Sequence, residues 1–161
     1  MSQINSLGGG KVVQVVETSS GALFTTTNLI PFDDTVPLIT EGGEVLTLNV
    51  TPKSTLNSFR VKAGLQLAFT AANINKVLTV RRADGMNDSI IAVKCVSNAN
   101  VNFIDAIEIT HEYPITQPAQ HTFSIRVGAE LAGTTTVNGS AGLRKYGGAM
   151  NTYLCVMEIE P

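Results

Sequence analysis

The densest group of chemically capable side chains lies in IPFDDTVPLITEGGEVL, Ile30 to Leu46, where Asp33 and Asp34 are followed by Glu41 and Glu44. Carboxylates this close can hold calcium, work as a general acid and base, or form the polar side of a loop. Calcium takes roughly six to eight oxygens, usually from alternate residues that converge. Adjacent Asp33 and Asp34 would diverge to opposite sides of an extended segment, and Glu41 and Glu44 lie beyond Pro37. A sugar-cleaving pair would want an aromatic-lined cleft, and the chain has 0 Trp, 3 Tyr and 6 Phe. Pro31 and Pro37 set φ and remove backbone donors. Either aspartate can close an Asx turn, and Gly42-Gly43 allows a tight entry into the strand at Glu44. The acids therefore read as parts of a shaped connection, with no metal assigned to them.

Other reactive residue types are sparse. His111 and His121 flank EYPITQPAQ and could face each other with Glu112 near, but two histidines and one glutamate on a loop more often make a polar loop than a zinc site. Cys95 and Cys155 each sit in an apolar run and read as buried free thiols, since a thiol behaves as a small hydrophobe; no C-x-x-C spacing suggests zinc. GGGK at Gly8–Lys11 lacks the leading Gly and the trailing Ser or Thr of a phosphate loop. No G-x-S-x-G or H-E-x-x-H occurs. No catalytic residue, cofactor or metal site is assigned, and the reading is of a protein that is not an enzyme.

The elements that would position any site are strands. The 161 residues suit one domain, with 43% hydrophobic and only 15% charged residues. A low-charge surface rich in Thr, Ser, Asn and Gly suits an all-β subunit that buries surface against neighbours. The net charge of −2 and scattered cations offer no field for nucleic acid or anionic lipid. No run approaches the roughly 20 apolar residues of a membrane span, and the N-terminus lacks the pattern of a secretory signal. The expectation is a soluble protein made in a reducing cytoplasm.

Apolar residues recur with period two. NSFRVKAG sets Phe59, Val61 and Ala63 against Ser58, Arg60 and Lys62; HTFSIRVGA sets Phe123, Ile125 and Val127 against Thr122, Ser124 and Arg126; EVLTLNVT also alternates. This predicts antiparallel sheets with one wet face. KVVQVVE, DSIIAVKCV and TYLCVMEIE are apolar on both faces and read as central or doubly covered strands. Leu65–Ala71 reads as a strand continuing past Gly64, and Asp84-Gly85 as a hairpin turn. With turns at Ser20-Gly21, Gly42-Gly43, Asn98–Asn100, Asn138-Gly139 and Gly147-Gly148, the pattern predicts about nine or ten short strands and no long helix. The fold class is all-β, an antiparallel jelly-roll-like sandwich over 11–161, preceded by a short flexible arm over 1–10 that ends in three glycines.

Several segments together resemble a β domain of tailed-bacteriophage virion proteins: the opening Lys11–Val16, Ile30–Pro37, Thr40–Gly42, Thr51–Asn57, then Asn138–Ser140, Lys145–Gly148 and the closing YLCVMEI. The match is looser across Leu65–Ile109. The resemblance implies a trimer-forming jelly-roll-like sandwich without catalytic activity, used as a capsid decoration (cement) protein or as a tail-fibre or tail-tip receptor-binding knob. The short arm favours decoration of the head shell. Its partners would be further copies of itself in a homotrimer and the major capsid protein, or alternatively other tail proteins and a host surface receptor. It would reside in the virion, assembled in the host cytoplasm. Candidate partner-binding residues are Ser2, Gln3, Ile4, Asn5 and Leu7 on the arm, with Tyr113 and Tyr146.

Overall fold

The computed structural model describes residues 10–161. They form twelve strands and one short 3-10 turn. In chain order the strands are β1 (Val12–Ser20), β2 (Phe24–Thr26), β3 (Gly43–Val50), β4 (Ser58–Phe69), β5 (Lys76–Ala83), β6 (Asp88–Val96), β7 (Asp105–Pro114), β8 (His121–Ala129), β9 (Thr135–Val137), β10 (Gly139–Ser140), β11 (Leu143–Arg144) and β12 (Thr152–Ile159). The eight long strands make two antiparallel layers. One runs β1-β12-β4-β7, lengthened at one end by β9 and β2 beside β4; the other runs β3-β8-β5-β6. Strands one, eight, three and six of the eight face strands two, seven, four and five, which is the jelly-roll arrangement of two Greek keys. The excess over the nine or ten strands expected comes from the short β2, β9, β10 and β11.

The alternation seen in the sequence places the core. Phe59, Val61 and Ala63 of β4, with Leu154 and Val156 of β12, meet Leu78 and Val80 of β5 and Phe123, Ile125 and Val127 of β8 between the sheets, all 0% exposed. β4 does continue past Gly64, as far as Phe69. Asp84-Gly85 turns the β5–β6 hairpin, where Asp84 accepts from the N–H groups of Met86 (3.0 Å) and Asn87 (2.7 Å).

Three expectations are corrected. KVVQVVE and DSIIAVKCV are not central: among the described residues β1 pairs only with β12 and β6 only with β5, so both are sheet edges. Each carries a register shift, between Val12 and Gln14 in β1 and opposite Val80/Arg81 in β6, and such bulges discourage uncontrolled edge pairing. Their outward apolar residues remain partly open, with Val15 56% and Val93 49% exposed. TYLCVMEIE is central, between β1 and β4. Second, the outer face of β8 is not wet, because Ser124 is buried and Arg126 mostly covered. The acidic connection between β2 and β3 covers Arg126, whose guanidinium donates to the Glu41 and Gly42 carbonyls. Third, the cysteines are free but not buried thiols: Cys95 is exposed on edge strand β6 and Cys155 half-buried on the outer face of β12.

Residues from distant motifs meet at one end of the sandwich. Glu158 of β12 is 0% exposed. Its carboxylate accepts from the backbone N–H of Lys53 (2.9 Å to each oxygen) and Ser54 (3.1 Å) and from the Asn57 side-chain amide (2.7 Å). The Gln14 amide, with its nitrogen turned toward the carboxylate, adds a donor at 2.9 Å. The closing strand thus holds the Thr51–Asn57 connection in place. At the other end, Asn138, at φ 58°, donates to the carbonyls of Ser20 (3.0 Å) and Ala22 (2.9 Å) and accepts from Thr152 (3.1 Å).

Candidate interaction surface

The Ile30–Gly42 connection is anchored before it presents anything. The Ile30 N–H donates to the Ala129 carbonyl (3.0 Å) and the Gly42 N–H to that of Leu29 (2.9 Å). Ile30 is fully buried against Gly128, where a Cβ would fall 2.8 Å from Ile30 Cγ1 and 2.7 Å from the Asn28 carbonyl oxygen. Gly42 sits at φ 69° with Val127 O 2.7 Å from its would-be Cβ, so only glycine fits there without strain. From the sheet, Arg126 sends Nε to the Glu41 carbonyl (2.7 Å) and Nη2 to that of Gly42 (2.8 Å), and pairs with Glu44 at 3.4 Å.

Each acid of the opening motif then has a place. Asp33 accepts from the Thr35 N–H (2.9 Å) and hydroxyl (2.6 Å), the Asx turn expected, and these bonds hold its carboxyl below the ordinary carboxylate range. Glu41 accepts from the Leu38 N–H at 2.9 Å, bracing the second turn. Glu44 accepts from the Thr47 hydroxyl at 2.9 Å and faces Arg81 at 3.7 Å. Asp34 is exposed and has no hydrogen bond or ion pair among the described residues. Among those residues no three His, Cys, Asp or Glu side chains gather as metal ligands.

What the braced loop offers is apolar. Phe32 is 64% exposed, Val36 70% and Leu38 64%. Between this loop and the outer face of β5 and β6 runs an open groove of about 460 Å³, with Ile30, Pro31, Phe32 and Val36 on one wall and Val77, Ile91, Val93 and Cys95 on the other. Single exposed apolar residues are ordinary, but a contiguous apolar patch with a polar rim marks an interaction surface. The apolar β6 run and the loop's apolar residues were visible in the sequence; that β6 is a bulged sheet edge was not. Nor was their adjacency, because it depends on which strand ends the sheet.

The other expected residues are dispersed. Ser2, Gln3, Ile4, Asn5 and Leu7 lie outside the described residues. Tyr113 is half-buried at the end of β7 and its ring covers the guanidinium of Arg82 at 4.2 Å; Arg82 in turn pairs with Asp84. Tyr146 is 80% exposed, at φ 52° beside the 3-10 turn Tyr146–Gly148, remote in the chain from the groove. The histidines are not brought together as a ligand pair. His121 is sealed between Phe59 (ring centroids 5.2 Å) and Phe123 (6.2 Å), with Nε2 3.1 Å from the Gln117 carbonyl oxygen. His111 lies on β7 in the other sheet, half-buried, and its neighbour Glu112 turns to the outer face to pair with Arg60.

Fold and surface together define a jelly-roll β-sandwich with an apolar loop-and-edge patch. No protein-family profile matches the sequence, and no curated protein does. Several solved structures resemble this chain. Eiger TNF from S. frugiperda is 6% identical with a TM-score of 0.53, over 90% of this chain and 92% of that one. Murine APRIL is 13% identical with a TM-score of 0.42, over 88% and 100%. The VP2 subviral particle of infectious bursal disease virus is 14% identical with a TM-score of 0.40, over 93% of this chain and 39% of that one. At 6% identity the likeness to Eiger TNF is one of fold alone.

Proposed function

We propose that this chain is a non-enzymatic structural protein of a bacteriophage virion, a trimeric decoration protein that binds the head shell and reinforces it. The observation that supports this reading is the apolar patch of Phe32, Val36, Leu38 and Val93, held on a loop braced by Arg126 and on a sheet edge. A rigid sandwich with such a patch is suited to adhesion. The spread motifs that resemble phage virion domains supply the context. Binding through several subunits at once multiplies modest contacts into avidity, and a closed trimer fits a three-fold position of a shell.

The test adds purified protein to shells that lack it and measures co-sedimentation and shell resistance to heat. Saturable binding with increased resistance is the expected result. A second reading, a tail-tip knob that recognises the host surface, is favoured by exposed Leu143 on β11 and exposed Leu131 and Tyr146 in the segments on either side of β9–β11. If the protein ignores shells but blocks phage adsorption to host cells, the knob reading replaces the first.

A further inference from the structure

The sheet that faces away from the Ile30–Gly42 connection carries charges on its outer face that its own copy does not pair. Glu17 of β1, Cys155 of β12 and Lys62 of β4 stand in one row across the strands, each directly opposite the next. Their side chains share the face that points away from the core, with Glu17 and Lys62 exposed and Cys155 half-buried. Two strand spacings, roughly 10 Å, separate the acid from the lysine. Among the described residues neither has an ion-pair partner. The neighbouring charges are taken: Arg60 pairs with Glu112, and Glu108 accepts from the Tyr153 hydroxyl at 2.7 Å. Along β12 the same face is mainly apolar, with Tyr153, Cys155 and Met157 half-buried and Val15 of β1, 56% exposed, beside Met157. Gly64 lies opposite Tyr153, and a Cβ there would fall 2.6 Å from the ring, so the ring lies down and the face stays flat.

We infer that this face pairs with the same face of a second copy across a two-fold axis running along β12, so that Glu17 of each copy meets Lys62 of the other. A half-turn about that axis lays β12 on β12 and exchanges β1 with β4. The acid on one side of Cys155 then lands opposite the lysine on the other side, twice per contact. A half-turn about an axis across the strands would instead set Glu17 on Glu17 and Lys62 on Lys62. The charges thus select one of the two ways of turning the sheets face to face. Packed sheets lie about 10 Å apart with their strands within about 30° of each other. At that spacing a glutamate and a lysine meet between the faces, and Val15, Tyr153 and Met157 are covered. The ion pairs set the register and the apolar strip supplies the burial. An isologous contact of this kind closes on itself. It goes beyond the proposed function, because this face lies across the sandwich from Phe32, Val36 and Leu38. Shell binding and pairing can therefore occur together, and in a trimer the pairing joins one trimer to another.

The experiment uses the full chain in two measurements. Sedimentation from micromolar to millimolar concentration compares the wild type with Glu17→Lys, Lys62→Glu and Glu17→Lys/Lys62→Glu. Pairing should double the unit, from monomer to dimer or from trimer to hexamer. Either single reversal sets like charges opposite each other and should raise the midpoint concentration about tenfold or more, with unchanged melting of the sandwich. The double reversal should restore the wild-type midpoint. In the second measurement, unlabelled and isotope-labelled protein are mixed and treated with a carbodiimide, which joins a carboxylate to an amine in contact with it. Mass spectrometry should find Glu17 of one copy linked to Lys62 of a differently labelled copy. Single reversals that leave association unchanged, with no mixed Glu17–Lys62 link, would overturn the inference and leave the trimer and shell binding untouched. A trimer that never doubles would do the same. A wild type that stays monomeric at every concentration would overturn both the inference and the trimer. A dimer lost in the single reversals and regained in the double one would uphold the inference even where shells are not bound.

Discussion

Replacing Glu158 with alanine should be among the most damaging single changes in the sandwich. The carboxylate is fully buried and serves two backbone N–H groups and the Asn57 amide at 2.7–3.1 Å. Truncation leaves these three donors, and the Gln14 amide beside them, facing a gap. A buried donor left without an acceptor costs about 1–3 kcal/mol; water entering the gap recovers part of this, and the lost charge also removes its desolvation cost. The net expectation is roughly 3–5 kcal/mol, the range seen when one partner of a buried charged network is removed. For a domain of this size each kcal/mol lowers Tm by about 2–4 °C, so the melt should fall by about 6–20 °C. Glu158→Gln keeps one acceptor oxygen but turns an NH2 toward a donor, and should lose about half as much. Thermal melts by circular dichroism at fixed protomer concentration, with urea midpoints to check that the m value is unchanged, measure this. A fall of less than about 3 °C for Glu158→Ala would refute the reasoning, because it would mean the Thr51–Asn57 connection does not depend on the carboxylate.

Three further outcomes are expected. Hydrogen bonds from Asn87 and Met86, and the ion pair with Arg82, lower the Asp84 carboxyl to about 2 despite its burial. Its folded value is depressed, so its stabilisation is complete above about pH 4 and is lost as pH falls toward 2; Asp84→Asn should flatten the acid limb of the stability curve across that window, and an unchanged limb would count against it. Tyr153 is raised to about 12 by burial and by donating to Glu108 at 2.7 Å. Absorbance titration should show one tyrosinate forming late, nearer the ordinary value of about 10 in Glu108→Ala, and its stabilising share is present below pH 10 and lost as pH rises to 12. Arg126→Ala removes donors from the Glu41 and Gly42 carbonyls, so amide exchange at Ile30 and Gly42 should speed up by about 10- to 100-fold, a charged hydrogen bond being worth about 1.5–3 kcal/mol. Exchange at the wild-type rate would show that the loop is held by other contacts.

The sandwich was legible because its inner faces obey a local rule. Phe59, Val61 and Ala63, or Phe123, Ile125 and Val127, announce a buried strand face with no knowledge of the partner strand. The outer faces obey no such rule. Arg126 looks like a wet position until the Glu41 and Gly42 carbonyls, far earlier in sequence, cover its guanidinium, and β1 and β6 look central because nothing in their composition reveals that the sheet ends there. Cys95 was misplaced for the same reason: an apolar run predicts burial only when both flanks are occupied. An Asx turn at one of the two aspartates was legible, since it needs only Asp33 and Thr35; the bracing roles of Glu41 and Glu44 were not. The groove beside them needed the topology, and Glu158, hidden at the end of an apolar run, was singled out only as one letter of a motif.

The position of β12 also sets the order in which the molecule can be made. The last strand of the chain lies in the middle of its sheet, between the first strand and β4, and brings the carboxylate that fixes the Thr51–Asn57 connection. Until Thr152–Ile159 leaves the ribosome, β1 has no neighbour to pair with and one side of β4 stands open over the Ser58–Gly64 stretch. Folding of the sandwich is therefore expected to wait for β12 rather than proceed strand by strand, at the slow pace of chains dominated by non-local pairing. In that interval the β-branched Val12–Val16 run is the segment most exposed to mispairing with other nascent copies.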